Sequence, residues 1–216
     1  GSAIKEEFTS DKILFSAGIS VINGFAASHI TQNRPDAVIY TGAHGGRDNI
    51  EVQTSVSLRI PCLAHGEALG IAMTGKKQIS VAGSHGKTTT SAMIATILTG
   101  AGGDPSYAVG CGEIAGLGFP GHFGKGDFFI AEADEYITAP THDLTPRFLS
   151  QNPDILVVTN VDYDHPDAYA SIEQVQEAFL ALMVKQKGSK ISILNSDDPN
   201  STPLLDSKTS NIIITY

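Results

Sequence analysis

The sequence predicts an α/β fold built on a doubly wound, mostly parallel sheet, preceded by a smaller α/β unit. Three observations predict it. Short apolar segments alternate with helical ones along the chain. Several of those segments are apolar throughout, as strands buried on both faces of a parallel sheet are. One of them, Ile79-Ser80-Val81-Ala82, runs straight into Gly83-Ser84-His85-Gly86-Lys87-Thr88-Thr89-Thr90 and from there into a helical pattern.

Taken in order, residues 36–41, 78–82, 127–132, 153–159, 190–195 and 211–215 read as strands. After Lys87, the residues Met93, Ile94, Ile97, Leu98 and Ala101 recur at three- and four-residue spacing, which predicts a helix with one apolar stripe, stopped by Gly102-Gly103. A second helix is expected at 172–185, with Ser171 as its N-cap and Gln174 closing a capping box. Ahead of the glycine-rich turn, residues 1–75 form the smaller unit, which carries one strand and the loop Thr41-Gly42-Ala43-His44-Gly45-Gly46-Arg47-Asp48-Asn49. Gly75-Lys76-Lys77 reads as a linker, and residues 76–216 as the main unit. Gly1-Ser2 reads as the scar of a cleaved tag, and both ends of the chain read as cut.

Composition narrows the function classes. At 216 residues and 41% hydrophobic content the chain has material for real cores. A net charge of −9 without clustered Lys and Arg argues against nucleic-acid binding. Cys62 and Cys111 lack metal-ligand or disulfide-framework spacing and fit a reducing, cytoplasmic setting. No apolar segment is long enough to span a bilayer, so membrane insertion is not expected.

The turn at 83–88 suits phosphate. Glycines let backbone N–H groups approach an anion, a lysine places a cation on it, and the following hydroxyl suits Mg²⁺. The usual pattern has a glycine where Val81 stands, so only G-x-x-G-K-T is present, within Gly83, Ser84, His85, Gly86, Lys87, Thr88 and Thr89. ATP or GTP is the ligand that this turn suggests, the plainer reading being a strand-to-helix turn with an exposed lysine. In doubly wound sheets ligands sit beyond the carboxyl ends of the strands. Two further strands end there in polar clusters. One is Glu132-Ala133-Asp134-Glu135-Tyr136, where Glu132 is the expected metal-holding carboxylate and Asp134 and Glu135 read as solvated loop charges. The other is Asn160-Val161-Asp162-Tyr163-Asp164-His165-Pro166-Asp167, where His165 beside carboxylates can hold a cation or orient a substrate. His29, His65 and His122 read as structural or surface residues, and the turn Asn195-Ser196-Asp197-Asp198-Pro199 as a turn only.

Together, G-S-H-G-K-T-T at 83–89, E-A-D-E at 132–135 and T-N-x-D-x-D-H-x-D at 159–167 resemble the Mur ligase family of peptidoglycan synthesis in order and spacing. The resemblance implies a truncated, Rossmann-like UDP-sugar-binding domain at 1–75 and a C-terminally incomplete ATP-binding central domain at 76–216. It implies ATP-dependent amide ligation through an acyl phosphate. Lys87, Glu132 and His165 would be the catalytic residues, Thr88 and Glu132 the ligands of one Mg²⁺ and His165 of a second, and residues 83–89 the ATP loop. Histidine at position 85 is similar to the branch that joins L-alanine to UDP-N-acetylmuramate, whereas Tyr136 is similar to the recycling branch, which adds a tripeptide. His85, Asn160, Asp164 and His44 are the weaker substrate-contact candidates; for His44 a tight surface turn is the alternative. Outside the family, a different P-loop protein such as a GTPase or small kinase, or a nucleotide-binding fragment without ligase activity, fits the same loop.

Overall fold

The computed structural model describes residues 9–139, 142–186, 188 and 190–216. Thr9–Ser16 (α1) and Ala27–Asn33 (α2) precede a short strand, Val38–Tyr40 (β1), and a 3-10 turn at Gly46–Asp48 leads into Ile50–Ser57 (α3). Asn49 starts α3: its Oδ1 accepts from the Glu51 N–H at 2.9 Å while its Nδ2 donates to the His44 carbonyl. Cys62–Ala64 (β2) then pairs parallel with β1, Val38 opposite Cys62, and runs into His65–Ala72 (α4).

The main sheet begins with Lys77–Ala82 (β3), Lys87–Gly100 (α5), Ser106–Ala108 (β4), Gly121–His122 (β5) and Phe128–Ala133 (β6). A hairpin of Ile137–Ala139 (β7) and Asp143–Pro146 (β8) follows, then a 3-10 segment, Arg147–Ser150. Ile155–Val158 (β9), Ile172–Lys185 (α6), Ile191–Leu194 (β10), Thr202–Leu205 (α7) and Ile212–Thr215 (β11) complete the order. Seven of these strands form one sheet in the order β11-β10-β9-β3-β6-β4-β5, parallel throughout except for β5. From β3 the chain steps outward to β4, returns to β6, then crosses to β9 on the other side of β3. The order reverses at β3, which places the glycine-rich turn at the switch point of the sheet.

Strand alternation assigns the faces. Ile79, Ile130 and Ile155 point to the α5 side, where Ala95 and Tyr107 join them. Ala82, Ala133, Leu156 and Val158 point the other way, into a cluster with Phe148, Phe179, Leu182, Met183 and Leu204. Phe129 and Ala131 share that second face and meet Met73 and Leu69 of the α4 region.

All six expected strands are present, four of them shortened by one or two residues at their ends, one begun a residue earlier at Lys77 and one shifted a residue onward to 128–133. Three expectations are corrected. In the α5 stripe, Met93 and Ile97 are 57% and 64% exposed, and the helix buries Ser91 and Ala95 instead, with Ile94 and Leu98 beside them. Small residues fit because α5 lies close on the sheet. At α6, Ser171 makes no side-chain cap, and Gln174 Oε1 accepts from the Ala170 N–H at 2.9 Å, one residue outside the expected box. The expected linker is anchored: Lys76 Nζ donates to the carbonyls of Gly124 and Gly126 at 2.8 and 2.6 Å, and Lys77 opens β3.

Candidate functional site at the strand ends

The turn between β3 and α5 needs glycine at two places. Gly86 has φ +82° and Gly83 φ +134°, and a Cβ on Gly83 would lie 2.0 Å from Thr159 Oγ1. That closeness reflects how tightly the turn is sewn to the loop after β9. The His85 N–H donates to Asn160 Oδ1 at 2.9 Å, and Asn160 Nδ2 and the Thr159 hydroxyl both donate to the His85 carbonyl. Ser84 Oγ donates to the Asp162 carbonyl and accepts from its N–H at 2.8 Å. The loop after β9 is braced in turn by Asp198, whose Oδ2 accepts from the Val161 N–H at 2.7 Å, and by Asn195 Nδ2, which donates to the Thr159 carbonyl.

Two pairs of side chains face each other across the ends of β3 and β6. The Thr88 hydroxyl donates to Glu132 Oε2 at 3.1 Å, while Glu132 Oε1 accepts from the Gly110 N–H at 2.6 Å. Lys87 Nζ donates to Glu135 Oε2 at 3.0 Å and to the carbonyls of Gly83 and Ser84 at 2.6 and 3.2 Å. Glu135 is 1% exposed and also lies 3.4 Å from His165 Nε2. The hydroxyl of Tyr169 closes this corner from below, donating to the Glu135 carbonyl at 2.5 Å. Burial, and then the neighbouring Glu135 charge, push the Tyr169 phenol far above its usual range, so it stays a donor.

The expectation that Asp134 and Glu135 are solvated charges is thus corrected. Glu135 is the buried partner of both Lys87 and His165, and Asp134 Oδ2 accepts from Arg147 Nη1 at 2.7 Å. Strand β6 runs one residue further than expected, through Ala133, and the turn after it carries Glu135 back under the loop. Tyr136 stands beside them, its ring 5.1 Å from His165, and its hydroxyl donates to Asp167 Oδ2 at 2.5 Å. That hydrogen bond holds the Asp167 carboxyl below, and the Tyr136 phenol above, their usual values.

The structure brings Thr88 together with Glu132, and Lys87 and His165 together with Glu135. Asn160 acts as a brace for the turn, and His85 reaches towards Asp162 at 3.8 Å with both side chains about 60% exposed. Asp164 is exposed on the same loop. His44 lies elsewhere, with φ +56° and its ring 5.6 Å from Phe25. His65 is a surface residue, as expected, exposed at the start of α4, but with Gly66, Lys87, Gly110, Glu132 and Arg147 it also lines a cleft of about 440 Å³. Arg147 and His65 had no motif to mark them.

Among the described residues no three His, Cys, Asp or Glu side chains are gathered as a ready cation site. A threonine hydroxyl beside a carboxylate at the head of a lysine-bearing turn is nonetheless the hard-oxygen set that Mg²⁺ accepts when phosphate oxygens supply the remaining ligands. The residues present fit that ion.

A doubly wound α/β protein with a glycine-lysine-threonine turn at its switch point is the class that this geometry defines. Residues 81–216 match the Mur ligase middle domain, and the chain belongs to the Mur ligase family. It is 36% identical to the UDP-N-acetylmuramate--L-alanine ligase of Aquifex aeolicus over 100% of this chain and 44% of that protein. To the enzyme of the same name from Carboxydothermus hydrogenoformans it is 40% identical over 83% of this chain and 36% of that protein. The chain spans about two fifths of the length of the curated relatives it matches. Among solved structures, the UDP-N-acetylmuramate:L-alanyl-gamma-D-glutamyl-meso-diaminopimelate ligase from Neisseria meningitides superposes with a TM-score of 0.86 at 25% identity. That match covers 98% of this chain and 67% of that one. The UDP-N-acetylmuramate-alanine ligase of Thermotoga maritima shares the fold, with a TM-score of 0.75 at 22% identity, covering 98% of this chain and 45% of that one.

Proposed function

We propose that this chain is part of an ATP-dependent ligase that joins L-alanine to UDP-N-acetylmuramate. The observation that carries the reading is the pairing of Lys87 and Thr88 with buried or bonded carboxylates at the switch point, in a chain whose relatives carry that name. Residues 1–75 would belong to the sugar-nucleotide side and residues 76–216 to the ATP side. The amides of residues 83–88 and the Lys87 ammonium would hold the transferring phosphoryl group. Thr88 and Glu132 would hold Mg²⁺, which when bound neutralises charge on the phosphate oxygens. In this reading the substrate carboxylate attacks the γ-phosphorus, giving an acyl phosphate and ADP. The amine then attacks the acyl carbon, loses a proton and expels phosphate, leaving the amide. Chemistry of this kind depends on positioning and charge neutralisation more than on covalent help from the protein. His165, held by Glu135 and against Tyr136, would steady the phosphate side of the cleft. A cytoplasmic location follows from the nucleotide substrates.

A second acceptor, the L-Ala-γ-D-Glu-diaminopimelate tripeptide, is supported by Tyr136 and by the close superposition on the Neisseria enzyme. Product mass from the full-length protein with Mg-ATP, UDP-N-acetylmuramate and either L-alanine or the tripeptide separates the two. Product with neither sinks the ligase reading and leaves a nucleotide-binding fragment.

A further inference from the structure

Lys87 is fully engaged without any ligand. Its three N–H groups meet two loop carbonyls and the Glu135 carboxylate, all between 2.6 and 3.3 Å, and its side chain is only 16% exposed. A phosphate that takes an N–H of that ammonium must displace one of these partners, of which Glu135 is the charged one. Where Glu135 is displaced it becomes a buried anion with His165 Nε2 at 3.4 Å as its remaining side-chain partner among the described residues, beside Glu132 and an Asp134 already paired with Arg147. Breaking a buried ion pair from one side is costly because the other charge stays behind unpaired. A nucleotide arriving without a cation would leave that corner more negative; one arriving with a divalent cation would compensate it.

We propose that Glu135 is a positioning residue that holds Lys87 at rest and so makes nucleotide binding depend on an accompanying divalent cation. This rests on the nucleotide reading above and deepens it. The role belongs to the charge rather than to the packing, since Gln keeps the shape and the acceptor oxygen but gives Lys87 nothing to neutralise.

The test is calorimetry of the full-length protein with ATP in EDTA and with ATP plus Mg²⁺, for wild type, Glu135→Gln and Glu135→Asp. In wild type the cation should strengthen binding strongly. Glu135→Gln should narrow the ratio of the two Kd values by about tenfold, mainly by tightening metal-free binding, the scale expected for one charged hydrogen bond. Glu135→Asp should restore the wild-type ratio in part. In a Lys87→Met background the Gln substitution should leave the ratio unchanged. A Gln variant that melts cooperatively yet keeps the wild-type ratio overturns the role of Glu135, as does an Asp variant that behaves like Gln. If the Gln variant does not fold, the wild-type protein still decides by NMR. The Lys87 ammonium protons should exchange slowly without ligand and shift on adding Mg-ATP, and an unmoved signal overturns the proposal. Wild type that binds no Mg-ATP removes the nucleotide reading itself, a result distinct from all of these.

Discussion

Replacing glycine by alanine inside a helix ordinarily stabilises it by about 1 kcal/mol, yet Gly70→Ala should destabilise this protein. Gly70 lies within α4, and a Cβ there would stand 2.3 Å from the Ser150 carbonyl oxygen and 3.0 Å from its carbon. Ordinary contact begins near 3.4 Å, so one backbone must retreat by about 1.1 Å from the other. Ser150 ends the 3-10 segment whose Phe148 is fully buried against Phe179, and α4 is tied down by Glu67 Oε2 accepting from the Ala64 N–H. Neither side yields easily, which puts the strain in the upper part of the 1–3 kcal/mol range for overpacking. Set against the helix gain, a net loss of about 1–2 kcal/mol remains. The assay is urea unfolding with an unchanged m-value, backed by a melting temperature lowered by about 2–4 °C per kcal/mol. Gly100→Ala is the control: it sits at the end of α5 with nothing within 4 Å, and should be neutral or slightly stabilising. Equal stabilisation by both substitutions would refute the claim that α4 packs backbone to backbone on the 147–150 segment.

Other outcomes follow from the same geometry. Lys87→Met should abolish turnover in the full-length protein and, by stranding the buried Glu135, lower its melting temperature while the far-UV spectrum below the melt stays native, read from product mass and circular dichroism; wild-type turnover would remove the loop from the chemistry. Phe148→Ala, which empties a fully buried site, should cost about 3–5 kcal/mol of stability by urea denaturation. His44→Ala should leave stability almost unchanged and raise the substrate KM only modestly, because the ring meets Phe25 and not the cleft; a complete loss of kcat would show a direct role. The Asp104 carboxyl is held below its usual range by the Lys125 N–H and by His122. Its stabilising contribution is therefore complete above the unfolded value of about 3.9 and is lost as pH falls through the lower folded value. Melting temperatures should then fall less steeply with acid in Asp104→Asn than in wild type.

The elements that announced themselves in the sequence are those whose pattern is local. Residues 155–158 are an apolar run and 190–195 carries Ile191, Ile193 and Leu194 around one serine, and their strands appear where they were expected. β2 and β4 were not among the expected strands, and each is completed by pairing with another strand, β2 with β1 and β4 with β6. Missing β2 hid α4, and with it the position of His65 in the cleft. The site was legible in its motif residues Lys87, Thr88 and Glu132. Glu135 was misread because a carboxylate after a strand end normally faces solvent. Only the fold of the following turn, with Tyr169 beneath it, puts that side chain inside. Arg147 was invisible for the opposite reason, a lone arginine with no motif around it.

The bracing of the glycine-rich turn also governs when it can exist. β3 is hydrogen-bonded to β6 and β9, strands that begin about fifty and eighty residues later in the chain, and the loop that clasps His85 is itself held by Asp198. Pairings of such long sequence separation form late, after much loop entropy has been lost. During synthesis the segment 83–88 must therefore emerge well before any of its partners. It acquires its working shape as one of the last events of folding, however early it is made.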